Sequence, residues 1–128
     1  MGTFLAIILA GGLGSVLRFI TDGWVSSRVH LGLPVGTILI NIVGSVLLGV
    51  VTGLAAQHVE FAELKTVIGT GLAGGFTTFS TASVEGANLL GAPHQTARSS
   101  LRAAVHAGIM LLLGVAGGAA GMWAGALI

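Results

Sequence analysis

Four stretches of the chain carry no Asp, Glu, Lys or Arg: Gly2 to Leu17, Leu31 to Val59, Thr66 to Val84 and Ala103 to Ile128. Each is near or above the ~20 residues that carry a helix across ~30 Å of hydrocarbon. A bilayer core admits only elements that satisfy their own backbone hydrogen bonds, which here means helices. The spacing predicts an all-α integral membrane protein with four transmembrane helices, at about 3–24, 34–57, 63–90 and 96–126. Pro34 suits the first turn of the second, where its missing N–H does no harm, and Gly91-Ala92-Pro93 ends the third. A composition of 54% hydrophobic and 7% charged residues, with 22 glycines in 128 positions, lies far outside that of a soluble domain. Short connections leave one membrane domain over residues 1–128, expected in the cell inner (plasma) membrane.

The first charge-free stretch lacks a basic region before it, and Arg18 follows it without a small-residue cleavage site, so it reads as a permanent span. Absence of cysteine excludes disulfides and thiolate metal sites. A net charge of +1 with no basic stripe points away from nucleic acid. Arg28, Arg98 and Arg102, with Arg18 if it reaches the interface, share one side of the membrane, and Lys65 takes the other. The positive-inside rule then puts both termini outside the cytoplasm. Four thin helices do not readily enclose a polar path alone, so an oligomer is expected.

Chemistry concentrates at membrane depth. In Gly71-Leu72-Ala73-Gly74-Gly75-Phe76-Thr77-Thr78-Phe79-Ser80-Thr81, glycines and hydroxyls interrupt a hydrophobic span. A weakened helix survives at that depth only when buried in protein or lining a wet cavity. A break around Gly74 to Ser80 frees carbonyls at Gly74 and Thr77, which either hold a small hard cation such as Na+ or simply ease a helix crossing. Thr37, Asn41 and Ser45 follow one another four residues apart, with Thr52 near the same line, so helix 2 carries a polar stripe. Their donors suit replacement of an anion's hydration shell, or else interhelical hydrogen bonding. Phe79 offers a positive ring edge beside Ser80 and Thr81, although core packing is the commoner use. Arg18 serves as an interfacial anchor or an electropositive vestibule. His106, well inside helix 4, is a pore-lining donor, a proton carrier or a packing residue; His30, His58 and His94 are loop residues without ligand spacing. Rows of small residues, Gly117, Gly121 and Gly125 with Gly114 and Gly118 beside them, and Ala10/Gly14 with Gly11/Ser15, are read as close packing. No nucleophile and base, phosphate loop or paired carboxylates assemble at membrane depth, and an enzyme is not expected.

Gly11-Gly12-Leu13-Gly14-Ser15-Val16-Leu17-Arg18-Phe19, Pro34-Val35-Gly36-Thr37 with Asn41 and Gly44-Ser45, Gly74-Gly75-Phe76-Thr77-Thr78-Phe79-Ser80-Thr81 and the glycine-rich fourth helix together resemble the bacterial fluoride ion channel family, Fluc or CrcB. The likeness covers nearly the whole chain. It implies an antiparallel, dual-topology dimer of four-helix subunits, with helix 3 broken, two narrow fluoride pores and a central structural Na+. By that resemblance Gly74 and Thr77 would hold Na+ through backbone carbonyls, Asn41 and Phe79 would line the fluoride path, and Arg18 matches the family's helix 1 arginine. The polar stripe and Phe79 would supply neutral donors and a ring edge to a small, strongly hydrated anion.

Two departures stand out. Ala82 occupies the position where the family commonly has a second pore phenylalanine, and His106 and Met110 fall where many members place a tyrosine and a serine. The chain is thus expected as a homodimer, or as a heterodimer with an oppositely oriented paralogue that supplies the absent Phe. The leading expectation is a passive, fluoride-selective channel that lowers cytoplasmic fluoride toxicity. The alternatives are a small dual-topology multidrug-type exporter, which wants a midplane carboxylate where Asp22, Glu60, Glu63 and Glu85 give none clearly, and a non-conducting structural partner of a fluoride channel, favoured by Ala82.

Overall fold

A computed structural model describes residues 1–91 and 97–128. Among these the chain is helical and contains no strand: α1 (Gly2–Ser26), α2 (Val35–Gln57), a 3-10 turn (Val59–Phe61), α3 (Ala62–Leu64) running into a π-helix (Lys65–Ala73) and α4 (Gly74–Phe76), then α5 (Phe79–Leu90) and α6 (Ala97–Gly125). Three of them, α1, α2 and α6, are long and apolar enough to cross a membrane. Pro34 is the N-cap of α2, one residue before its first turn. Ala92, Pro93, His94 and Thr96, which bear on the sequence expectations for the end of helix 3 and the start of helix 4, lie outside the described residues.

Glycines set how the helices meet. Along α2 and α6 a methyl group added at Gly49 would run into the backbone of Gly118 and Met122, and one at Gly53 into Met122 and Ala126. From the other side, Gly121 and Gly125 meet the backbone of Val46, Val50 and Leu54. Both sets of contacts climb in the same order, so α2 and α6 run parallel with their backbones touching. This is the arrangement small residues permit where lipid supplies no hydrophobic drive between helices.

The same device joins α1 to the π-helix and α4. Gly14 abuts the backbone of Leu72, Gly75 and Phe76, Gly75 abuts Gly11, and Gly71 abuts Ile7 and Ala10. Thr3 donates its hydroxyl to Glu63 Oε1 at one end of this pair, and Arg18 reaches Thr77 at the other, so these segments are also parallel. Gly36, at the start of α2, sits against Asp22 and Ser26 at the end of α1, so α1 and α2 are antiparallel neighbours. Nine residues of π-helix are unusual, since π turns normally appear singly and often at functional sites. The wider turn ends at Ala73, immediately before the segment that carries the break.

Gly121→Val should destabilise the fold by about 1–3 kcal/mol, the usual cost of overpacking, because its branched carbons would meet Val46 backbone. Gly108→Ala, with nothing within 4 Å of the added carbon, should cost nothing. Thermal unfolding in detergent checks the pair.

Candidate functional site

Helical geometry stops at two residues. Thr77 has φ −78° and ψ 160°, Thr78 φ −151° and ψ 120°, and Phe79 already opens α5. The break is therefore narrower than the Gly74 to Ser80 span expected from the sequence, because Gly74 to Phe76 keep a helical turn. Thr77 closes that turn by donating both its N–H and its hydroxyl to the Ala73 carbonyl, each at 2.9 Å.

Asn41 opens the break. Thr78 N–H donates to Asn41 Oδ1 at 2.8 Å, while Asn41 Nδ2 donates to the carbonyls of Thr78 at 3.0 Å and Thr37 at 3.1 Å. Only an oxygen can accept from Thr78 N–H, and this fixes the orientation of the amide. In an uninterrupted α-helix that N–H would donate to the Gly74 carbonyl four residues back. Asn41 takes it instead, and Gly74, which is exposed, loses its helical donor. Thr78 then caps α5: its hydroxyl oxygen accepts from Thr81 N–H at 3.2 Å and donates to Thr81 Oγ1 at 3.0 Å, with Ser80 Oγ 3.3 Å away. A side-chain oxygen at this position satisfies one of the orphan donors of a helix start.

Cavities surround the break. One of about 300 Å³ is lined by Asn41, Ser45, Gly74, Thr77, Phe79 and Met110, among others. A second, of about 230 Å³, brings together Ser15, Arg18, Asp22, Thr37, Thr78 and Thr81. A third, of about 270 Å³, holds His106 with Phe79, Ala82 and Met110. Thus Asn41, Ser45, Gly74, Thr77 and Phe79 converge, Arg18, Thr37 and Thr81 form a neighbouring group, and His106 reaches the first group through Phe79 and Met110, which both cavities share. Ser80 is exposed on the surface beside them.

The helix 2 stripe divides. Thr37, 1% exposed, donates its hydroxyl to Glu85 Oε1 at 2.9 Å and so is committed to α5. Asn41 and Ser45 face the first cavity, and Thr52 lies further along in a groove of about 410 Å³ between α2 and α6. Arg18 does more than anchor, since its Nη1 donates to the Thr77 carbonyl at 3.3 Å. Ser15 donates to the Gly11 carbonyl at 3.0 Å and also lies 3.4 Å from that of Gly75. The Arg28 guanidinium lies 4.3 Å from the centre of the Trp24 ring, a cation–π contact.

Sequence reasoning gave Thr78 no role of its own and weighed Glu85 only as an exporter's carboxylate. A threonine followed three residues later by Thr81, immediately before a helix, is a legible N-cap. Nothing in the linear sequence pairs Glu85 with Thr37, because that contact depends on how α5 leaves the break.

Helices that cross a membrane, packed around a break with hydroxyl, amide and aromatic groups about small cavities, define a multi-pass membrane protein with a polar interior. A family model described as "CrcB-like protein, Camphor Resistance (CrcB)" matches residues 5–126, and the chain belongs to that family. It is 46% identical over 124 residues, 96% of its own length and 86% of the relative's, to the Leifsonia xyli subsp. xyli protein named fluoride-specific ion channel FluC 1. It is 54% identical over 84 residues, 65% of its length and 68% of the relative's, to fluoride-specific ion channel FluC 2 of Cutibacterium acnes. Identity to fluoride-specific ion channel FluC of Hyphomonas neptunium is 37% over 125 residues, 96% and 94% of the two chains.

Thr78→Ala should lower stability by about 1 kcal/mol through loss of the α5 cap, and Thr78→Ser should retain it. Unfolding in detergent, compared across the two variants, measures the difference.

Proposed function

We propose that this chain is a fluoride-selective channel subunit that passes the ion passively out of the cell and lowers its cytoplasmic toxicity. Family membership and the names of its relatives support this reading, and the carrying observation is the face presented by the break. Phe79 is 87% exposed there, with Gly74, Ser80 and Thr81 exposed around it. Hydroxyls at membrane depth face protein or water, seldom lipid. A second subunit covers this face, and in the family's dual-topology dimer it is an oppositely oriented one.

The segment 62–90 makes the remaining crossing in this reading. α2 and α6 run parallel, so the chain between them has to return across the bilayer. Fluoride moves along Phe79, Ser45, Ser80 and Thr81, where neutral hydroxyls and a ring edge replace hydration without holding the ion as a fixed cation would. Asn41 has both amide protons engaged on Thr37 and Thr78 and serves chiefly to hold the donors of α5 in place. Arg18 draws anions towards the second cavity.

A structural Na+ fits the exposed Gly74 carbonyl, which has lost its helical donor, together with Thr77, whose carbonyl keeps a lone pair beyond the one Arg18 uses. Both are hard oxygen donors of the kind such a cation takes. When bound, the ion would supply positive charge at the subunit interface and tie the two breaks together.

Ala82 favours one refinement. At 8% exposure it is buried beside His106 and leaves no second ring next to Phe79. A heterodimer with a paralogue that brings this ring is therefore the preferred assembly, with the homodimer as its alternative. A chain that only completes its partner's pore is the other reading Ala82 supports.

Liposomes holding the purified subunit, alone or coexpressed with a paralogue, should release fluoride far faster than chloride. Absence of fluoride release in both preparations would contradict the channel reading. Release only after coexpression would identify the heterodimer. Phe79→Ile should slow release by about twofold to tenfold, the rate equivalent of the ~0.5–1.5 kcal/mol that aromatic ring geometry is worth.

A further inference from the structure

Arginines gather at one end of the bundle. α1 and α2 are antiparallel and α2 and α6 parallel, which brings Arg28, just past the end of α1, to the same end as Arg98 and Arg102 in the first two turns of α6. All three are exposed, and among the described residues none has a carboxylate within 4 Å. The acids nearest this end are hydrogen-bonded elsewhere: Glu85 Oε1 accepts from Thr37 at 2.9 Å and Asp22 Oδ1 from Ser26 at 3.4 Å. At the opposite end Glu60 and Glu63 outnumber Lys65.

A cavity of about 540 Å³ lies at the basic end, between the loop that joins α1 to α2 and α5. Val29, Leu33, Val35 and Leu89 give it apolar walls, and His30 and Asn88 add polar groups. Gly32, at φ 70°, makes a left-handed turn in this wall. The Arg102 guanidinium packs on that turn: its Cζ, Nη1 and Nη2 lie 3.6–3.8 Å from where a methyl carbon on Gly32 would sit. A flat cationic group thus stands beside an apolar hollow. Trp24, 58% exposed and stacked with Arg28, marks the level, since tryptophans near the ends of membrane helices sit among lipid headgroups.

We propose that this end of the subunit binds an anionic phospholipid, with the phosphate on Arg102 and an acyl chain in the cavity between the α1–α2 loop and α5. A guanidinium grips a phosphate through two parallel N–H donors, and apolar walls suit the chain that follows it. A small soluble anion would use the cation and leave those walls uncovered. Glu85, the lining residue nearest the break, repels a phosphate that goes deeper and keeps the headgroup at the level of Arg102. Arg28 and Arg98 strengthen the attraction of this end for a negative membrane surface. A lipid held here ties the α1–α2 loop to α5 and to the start of α6. The site does not depend on the fluoride reading.

Native mass spectrometry of the protein released from nanodiscs of mixed phosphatidylglycerol and phosphatidylcholine tests this. Phosphatidylglycerol should stay on the subunit in preference to phosphatidylcholine and saturate at a single molecule. Arg102→Gln should weaken retention at least about fivefold, the equivalent of the ~1 kcal/mol that one arginine contributes at an anionic surface. Lys65→Gln, at the opposite end, should leave it unchanged. Leu89→Trp keeps every charge but fills the cavity, and it should weaken retention as well; Val29→Phe fills the cavity from the loop and takes its place if unfolding in lipid-free detergent shows Leu89→Trp to be unstable. Equal retention of the two lipids, or equal loss in Arg102→Gln and Lys65→Gln, overturns the proposal. Retention undiminished by the filled cavity would reduce the effect to surface charge and overturn it too. Displacement of the lipid by glycerol 3-phosphate would assign the site to a soluble phosphoester and contradict the lipid.

Discussion

The amide of Asn41 is the point on which the arrangement turns. By accepting from Thr78 N–H and donating to the Thr78 carbonyl, it offers the backbone at one residue a partner as good as a helix does. The helix can then stop at Thr78 without orphaning that residue's own N–H and carbonyl, each of which would cost several kcal/mol unpaired in hydrocarbon. The freed Gly74 carbonyl, the Thr78 cap on α5 and the exposed Phe79 all lie at that exchange.

Support for the break comes from packing that is otherwise unremarkable. Backbone contact between α2 and α6 fixes the height of Asn41, and contact of Gly11 and Gly14 with the π-helix and α4 fixes the height of Thr77. Gly44 adds to this, since a side chain there would strike the methyl group of Thr77. Arg18 completes the junction from α1 by donating to the Thr77 carbonyl. Positions that look like bland packing glycines thus determine whether a carboxamide on one helix meets a single peptide unit on another.

Membrane spans were legible because hydrophobic length is a direct physical requirement of the bilayer, and α1, α2 and α6 are long and apolar enough to meet it. The polar stripe on helix 2 was visible as a four-residue periodicity. Its division was not, because Thr37 donates to Glu85, 48 residues on, a pairing that only the packing of α5 beside α2 makes. The extent of the break was also hidden: glycines at 74 and 75 weaken a helix, yet they remain helical here because the interruption is set by a donor stolen at Thr78 rather than by local propensity. The motif brought Gly74, Thr77, Asn41 and Phe79 to notice, and their convergence on one cavity needed three dimensions.

The dependence of the break on one side chain can be measured by solid-state NMR of Thr77 and Thr78 backbone shifts in lipid, in the native chain and in Asn41→Ala. Without the amide, Thr78 N–H is free to return to the Gly74 carbonyl. The account predicts that both residues move from extended to helical shifts and that fluoride release is lost with the break. Extended shifts unchanged in Asn41→Ala would contradict it and would mean that the interruption is written into residues 74–81 themselves.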